Sequence, residues 1–262
     1  MLFKNYNSGD VMNKDNEKYR FQNAEYSIYS TGFFVFCVVL GVFVLAPMLP
    51  PLGQASASAG EIAAFYQENN LMKKIGLSIA MFGLAFIIPL FVLMAEVMKR
   101  AMGMPILANV QLASGIFGIL FTFMMLIFWG TAAFRPERSV EITQALHDGG
   151  WLVATWVGSA TLVQVMCICI AVFKDQQANP VFPRWFGYFC MWIIPLGAPA
   201  CVINIFTQGP FAYDGLFGFW LPYISLFAFF AVMMVALWGA VKKLQGVEVS
   251  ASSKANSSAY AS

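Results

Sequence analysis

Apolar residues along this chain fall into long unbroken runs, and polar residues gather between them. Crossing a bilayer core about 30 Å thick takes about 20 apolar residues at 1.5 Å of rise each. Six runs reach that length, over roughly 31–49, 75–98, 110–133, 151–173, 185–206 and 216–241. None shows the two-residue alternation of a barrel strand, so helices are the form that satisfies the backbone in hydrocarbon. The predicted fold is all-α: an integral membrane bundle of six transmembrane helices. Residues 1–30 read as a polar cytoplasmic tail, 31–245 as the transmembrane domain, and the Ser/Ala-rich stretch 246–262 as a disordered cytoplasmic tail.

The first inter-span connection has a pattern of its own. Ser58-x-x-Glu61 is a capping box, and Ile62, Phe65 and Tyr66 follow at i, i+3, i+4 spacing. This predicts a short amphipathic helix lying on the outer interface ahead of the second span.

Composition supports the membrane class. Of 262 residues, 60% are hydrophobic and 11% charged, with a mean hydropathy of +0.70. Soluble domains carry roughly 25% charged residues, so a soluble enzyme and a disordered chain are both excluded. The net charge of +2 implies no anionic partner, and no nucleic acid is expected. Lys and Arg distribution gives an orientation. Eleven lie in the two tails, the 2–3 loop (Lys99, Arg100) and the 4–5 loop (Lys174, Arg184); only Lys73, Lys74, Arg135 and Arg138 lie on the other side. Both termini are therefore expected in the cytoplasm, and the localisation expected is a bacterial inner membrane. Trp129, Trp151 and Trp220 at outer span ends, with Trp185 and Trp238 at inner ends, read as aromatic belts.

Candidate chemistry is sparse. There is one histidine, and the five cysteines sit inside apolar runs without zinc spacing. No metal, cofactor or catalytic set is expected. Glu96, followed by Lys99 and Arg100 at i+3 and i+4, reads as an interfacial ion pair. Gly76/Ala80, Ser114/Gly118 and Ala154/Gly158 form small-xxx-small pairs for close helix contact.

Two groups of polar residues remain as candidate ligand-binding positions. Gln164 falls in the middle of the fourth span and Asn204 in the outer half of the fifth, where each needs a partner. Pro195 and Pro199 share the fifth span; each frees a carbonyl four residues earlier, on Met191 and Pro195. A kink turned toward the other helices would line a small cavity. The second group, Arg135, His147, Asp148, Trp151 and Asp214, converges at the outer span ends. There Asp148 is placed to N-cap the fourth span, or to pair with His147 as acid and base in a vestibule. The reading these features favour is binding or transport of a small, largely apolar molecule by a protein whose surroundings are the lipid bilayer. A non-catalytic accessory subunit bound to a membrane protein partner, and an enzyme acting at the outer face, are the alternatives.

Overall fold

The computed structural model describes residues 21, 23–51 and 54–259; most of the predicted N-terminal tail, residues 1–20, and the last three residues lie outside the described residues. It is all-helical among the described residues. Six helices are long and apolar enough to cross a membrane: Ala24–Leu45, Asn70–Ala101, Pro105–Phe134, Val140–Lys174, Arg184–Ile205 and Leu216–Gly246. This is the architecture of a multi-pass membrane protein.

The named helices are α1 (Ala24–Val38), α2 (Ala59–Gln67), α3 (Asn70–Leu84), α4 (Ile88–Glu96), α5 (Pro105–Phe134), α6 (Val140–Thr155), α7 (Ser159–Lys174), α8 (Arg184–Gly197) and α9 (Leu221–Ala259). Each span packs on the next in sequence: α1 on α3 and α4, these on α5, α5 on α6 and α7, α7 on α8, and α8 on α9. The ring closes where α9 returns to α1, and α9 also reaches α4 across the middle. With six crossings, both chain tails fall at one end, the tail end. The opposite end carries α2.

Span one starts at Ala24, seven residues before its apolar run. Its early polar residues can stay helical because their side chains find acceptors: Thr31 Oγ1 donates to Ser27 O (2.8 Å) and Ser30 Oγ to Phe86 O (2.7 Å). The second bond meets a weak point of span two. Pro89 lacks an N–H, and the helix ahead of it tightens to 3-10 turns over Ala85–Ile87. Spans one and two touch through glycine. A Cβ on Gly41 would lie 2.5 Å from Gly76 O and 2.8 Å from the Ala80 Cβ, so only glycine permits this approach.

The capping box is present: Ser58 N–H donates to Glu61 Oε2 (2.7 Å) and Glu61 N–H to Ser58 Oγ (3.3 Å). Asn69 in the left-handed region (φ 48°) then separates α2 from α3. The apolar side of α2 is covered by protein: Ile62, Ala63 and Tyr66 are buried, and α2 packs on α6.

Two tail-end features depart from the sequence pattern or refine it. Where composition predicts a disordered tail from 246, α9 continues as helix to Ala259. The 4–5 loop is held from both sides. Arg184 donates to Val172 O (2.6 Å), Phe173 O (3.0 Å) and Asp175 O (2.7 Å), capping α7, while Asp175 Oδ2 accepts from Val181 N–H (2.8 Å). Glu96 pairs with Lys99 and Arg100 as its spacing implies.

Candidate functional site

At the α2 end, α6 carries Thr143, His147, Gly150 and Trp151 as one buried stripe at helical spacing. α2 lies over the stripe, and loop 206–215 supplies Tyr213. His147 is fully buried. Trp151 Nε1–H donates to His147 Nε2 (3.2 Å), and an indole N–H has no acceptor capacity. Nε2 therefore carries the lone pair, and the imidazole proton sits on Nδ1, facing Tyr66 Oη at 3.0 Å. Trp129 Nε1–H donates to His147 O (3.4 Å). Tyr213 Oη–H donates to Asp148 Oδ1 (2.9 Å), and its ring stacks on Trp151 at 5.5 Å and 8°. Burial, reinforced by the Asp148 carboxylate, holds the hydroxyls of Tyr66 and Tyr213 above the ordinary phenol range, so both stay protonated.

This arrangement fastens rather than reacts. Both ring nitrogens of His147 are occupied and the ring has no exposed surface, so a substrate has no route to it here. His147 and Asp148 address different partners, Tyr66 with Trp151 and Tyr213 respectively, and do not form an acid–base pair. Asp148 is not an N-cap either. α6 begins at Val140 with Ser139 in the cap position, because the polar segment ahead of Trp151 is itself an amphipathic helix. Trp129 and Trp151 are core residues instead of belt anchors, since each indole N–H has a partner inside the protein; Trp156, Trp185, Trp192 and Trp220 are exposed.

The remaining candidates scatter. Asp214 accepts from Ala55 N–H (3.1 Å) and ties loop 206–215 to the segment before α2. Arg135 ends α5, exposed, with its guanidinium 5.9 Å from the Phe134 ring. Gln164 is buried, with its amide NH2 3.5 Å from Gln111 Oε1; Gln111 in turn donates to Phe91 O (3.1 Å). It links α7 to α5 and, through Gln111, to α4, away from span five. Pro195 and Met191 are exposed on the outside of the bundle, and so is Asn204. The buried face of span five is Ile193, Ala200 and Ile203, on the opposite side of the helix from Pro195. Proline-freed carbonyls turned toward the other helices are therefore not what is found. A cleft does lie on that buried face, between Thr155, Gly158, Ile193, Gly197 and Pro222, but it holds only about 70 Å³. Ligand pockets run from roughly 300 to 1,000 Å³.

Larger spaces flank α3. One, of about 570 Å³, lies between α3 and span one and is lined by Phe33, Phe36, Cys37, Leu40, Ile75 and Ile79. The other, of about 700 Å³, lies between α3 and α5, against Leu77, Met81, Leu126, Ile127, Gly130 and Phe134. Lys74, Ser78 and Phe82, at i, i+4 and i+8 on α3, line both. The two adjacent lysines divide their roles. Lys73 is buried, donating to Glu68 O (2.5 Å) with its ammonium 4.5 Å from the Phe65 ring centre. Lys74 stands at the mouths of the clefts. Among the described residues, no carboxylate lies within 4.0 Å of Lys74 or Arg135.

Tyr66, Tyr213, Lys74, Ser78 and Phe82 were outside the sequence-derived candidates. Tyr66 had a signal, since it ends the apolar stripe of α2 and carries a hydroxyl that needs a partner. The cleft residues had none, because their grouping depends on which helices neighbour α3. No family model matches the chain, and no curated protein or solved structure matches it.

Proposed function

We propose that the protein is a multi-pass membrane protein that binds a small, largely apolar molecule from the bilayer in the clefts beside α3. The observation that carries this reading is the pair of clefts of about 570 and 700 Å³, both within the range of ligand sites and both walled mainly by Phe, Ile, Leu and Met. The sealed His147 cluster supports it indirectly, because it fixes the α2 end and leaves the lateral faces as the way in. The same reading puts both tails in the cytoplasm of a bacterial cell, supported by the eleven-to-four division of Lys and Arg.

Native mass spectrometry of the protein purified in mild detergent, with no lipid added, tests the binding reading. The wild type should keep a non-covalent apolar adduct, and Ser78→Trp, which puts an indole on the ridge that both clefts share, should lose it. A wild type at its bare mass, or an adduct that survives in Ser78→Trp, overturns the reading.

A further inference from the structure

We propose that the two clefts form one site for a two-chain anionic phospholipid, with the headgroup phosphate at Lys74 and Arg135 and one acyl chain on each side of α3. This rests on the binding reading above and names its ligand. The two spaces share Lys74, Ser78 and Phe82, so they are the two flanks of a single ridge and open at a single cation. A ligand that fits this shape has one charged head and two apolar branches.

Length agrees with a lipid leaflet. From Lys74 to Phe82 is eight residues, about 12 Å of helix. The facing walls, Phe33 to Leu40 on span one and Leu126 to Phe134 on α5, cover similar lengths. Half of a hydrocarbon core about 30 Å thick is about 15 Å. Chains hanging from a headgroup at Lys74 would thus lie along most of one leaflet.

Charge selects the headgroup. Asn70 Nδ2 donates to Ala133 O (2.8 Å), which ties the start of α3 to the end of α5. Lys74 is one turn beyond Asn70, and Arg135 is two residues beyond Ala133. The Arg135 guanidinium leans over Phe134, which itself lines the larger cleft. No carboxylate lies within 4.0 Å of either cation among the described residues; Lys74 lines both clefts, and Arg135, next to the Phe134 that lines the larger one, would supply the second charge to the headgroup. A phosphate without a compensating amine complements them; a choline headgroup brings a third cation. Each Lys or Arg facing anionic lipid adds roughly fivefold in affinity.

The experiment titrates the delipidated full-length protein with phosphatidylglycerol and phosphatidylcholine of identical chains, read by native mass spectrometry. One phosphatidylglycerol should bind per chain, at least fivefold tighter than phosphatidylcholine. Lys74→Gln should cut that preference about fivefold. Gly130→Phe, at a position where an added Cβ meets nothing within 4 Å, should narrow the larger cleft and weaken both lipids. The single-chain lysophosphatidylglycerol should bind more weakly than the two-chain lipid. Equal binding of the two lipids, or a preference that survives Lys74→Gln, overturns the anionic assignment; if Gly130→Phe still displaces both, the apolar-site reading stands alone. Lysophosphatidylglycerol binding as tightly as the two-chain form overturns the two-flank geometry. Failure of both lipids to bind one per chain overturns this inference and the proposed function together.

Discussion

Replacing Tyr66 with Phe removes a hydroxyl and leaves a buried donor behind. The ring keeps its packing, because Tyr66 is fully buried on the inward face of α2. What disappears is the 3.0 Å contact with His147 Nδ1. The imidazole cannot adjust by moving its proton, since Nε2 must go on accepting from Trp151. An Nδ1–H stranded in the interior costs about 1–3 kcal/mol, which is about 5- to 150-fold in an equilibrium at roughly 1.4 kcal/mol per tenfold. The cost falls on the docked state of α2, because once α2 lifts away water can meet the imidazole in wild type and variant alike. Hydrogen–deuterium exchange of the amides in 59–67 should therefore quicken by that factor. Gln67→Ala is the control: it removes a bond to Pro136 O at an exposed site and should shift exchange by no more than about twofold, as surface changes stay within about 0.5 kcal/mol. Tyr66→Phe exchanging within twofold of wild type would refute the argument, since some other contact would then be holding α2 down.

Three further outcomes follow from the geometry. Gly150→Ala would set a Cβ 2.6 Å from Trp129 Cδ1 and should cost about 1–3 kcal/mol by overpacking, seen as a lower melting temperature; Gly130→Ala, into open space, should leave it equal or higher. The Glu61 carboxyl is held below the ordinary carboxylate range by the Ser58 amide and hydroxyl. A depressed folded value stabilises above the unfolded one and is lost as pH falls through the folded one, so α2 exchange, corrected for intrinsic rate, should accelerate only in strongly acidic buffer and show less pH response in Glu61→Gln. Alkaline phosphatase fused after Gly60 should be active and after Lys174 inactive, and activity at Lys174 would overturn the proposed orientation.

The six spans were legible because runs of about 20 apolar residues are a direct consequence of bilayer thickness, and α2 because its capping box and apolar stripe are local patterns. The start of α1 at Ala24 was hidden by Ser27, Ser30 and Thr31; the Ser30 and Thr31 hydroxyls donate to backbone carbonyls inside the fold, Thr31 to that of Ser27. The same kind of error displaced α6. Asp148 ahead of Gly149-Gly150-Trp151 reads as the cap of a helix starting there, yet Gly150 lets the Trp129 indole lie against a helix already under way, and Thr143, His147 and Trp151 have four-residue spacing. Gln164 was rightly singled out as a buried amide, but its partner Gln111 lies 53 positions away. The clefts were illegible for a stronger reason. Lys74, Phe36 and Phe134 come together only because spans one and three both neighbour span two, and that arrangement is written in packing, not in any local pattern.

The central claim, that the clefts beside α3 are filled from the bilayer, is tested most directly by an electron cryomicroscopy structure of the protein in lipid nanodiscs. The account predicts ordered elongated density in both clefts, running from the level of Lys74 to that of Phe82, and its absence from Ser78→Trp. Clefts closed by span one and α5 moving onto α3, or open clefts with no density above that of the surrounding lipid, would contradict it.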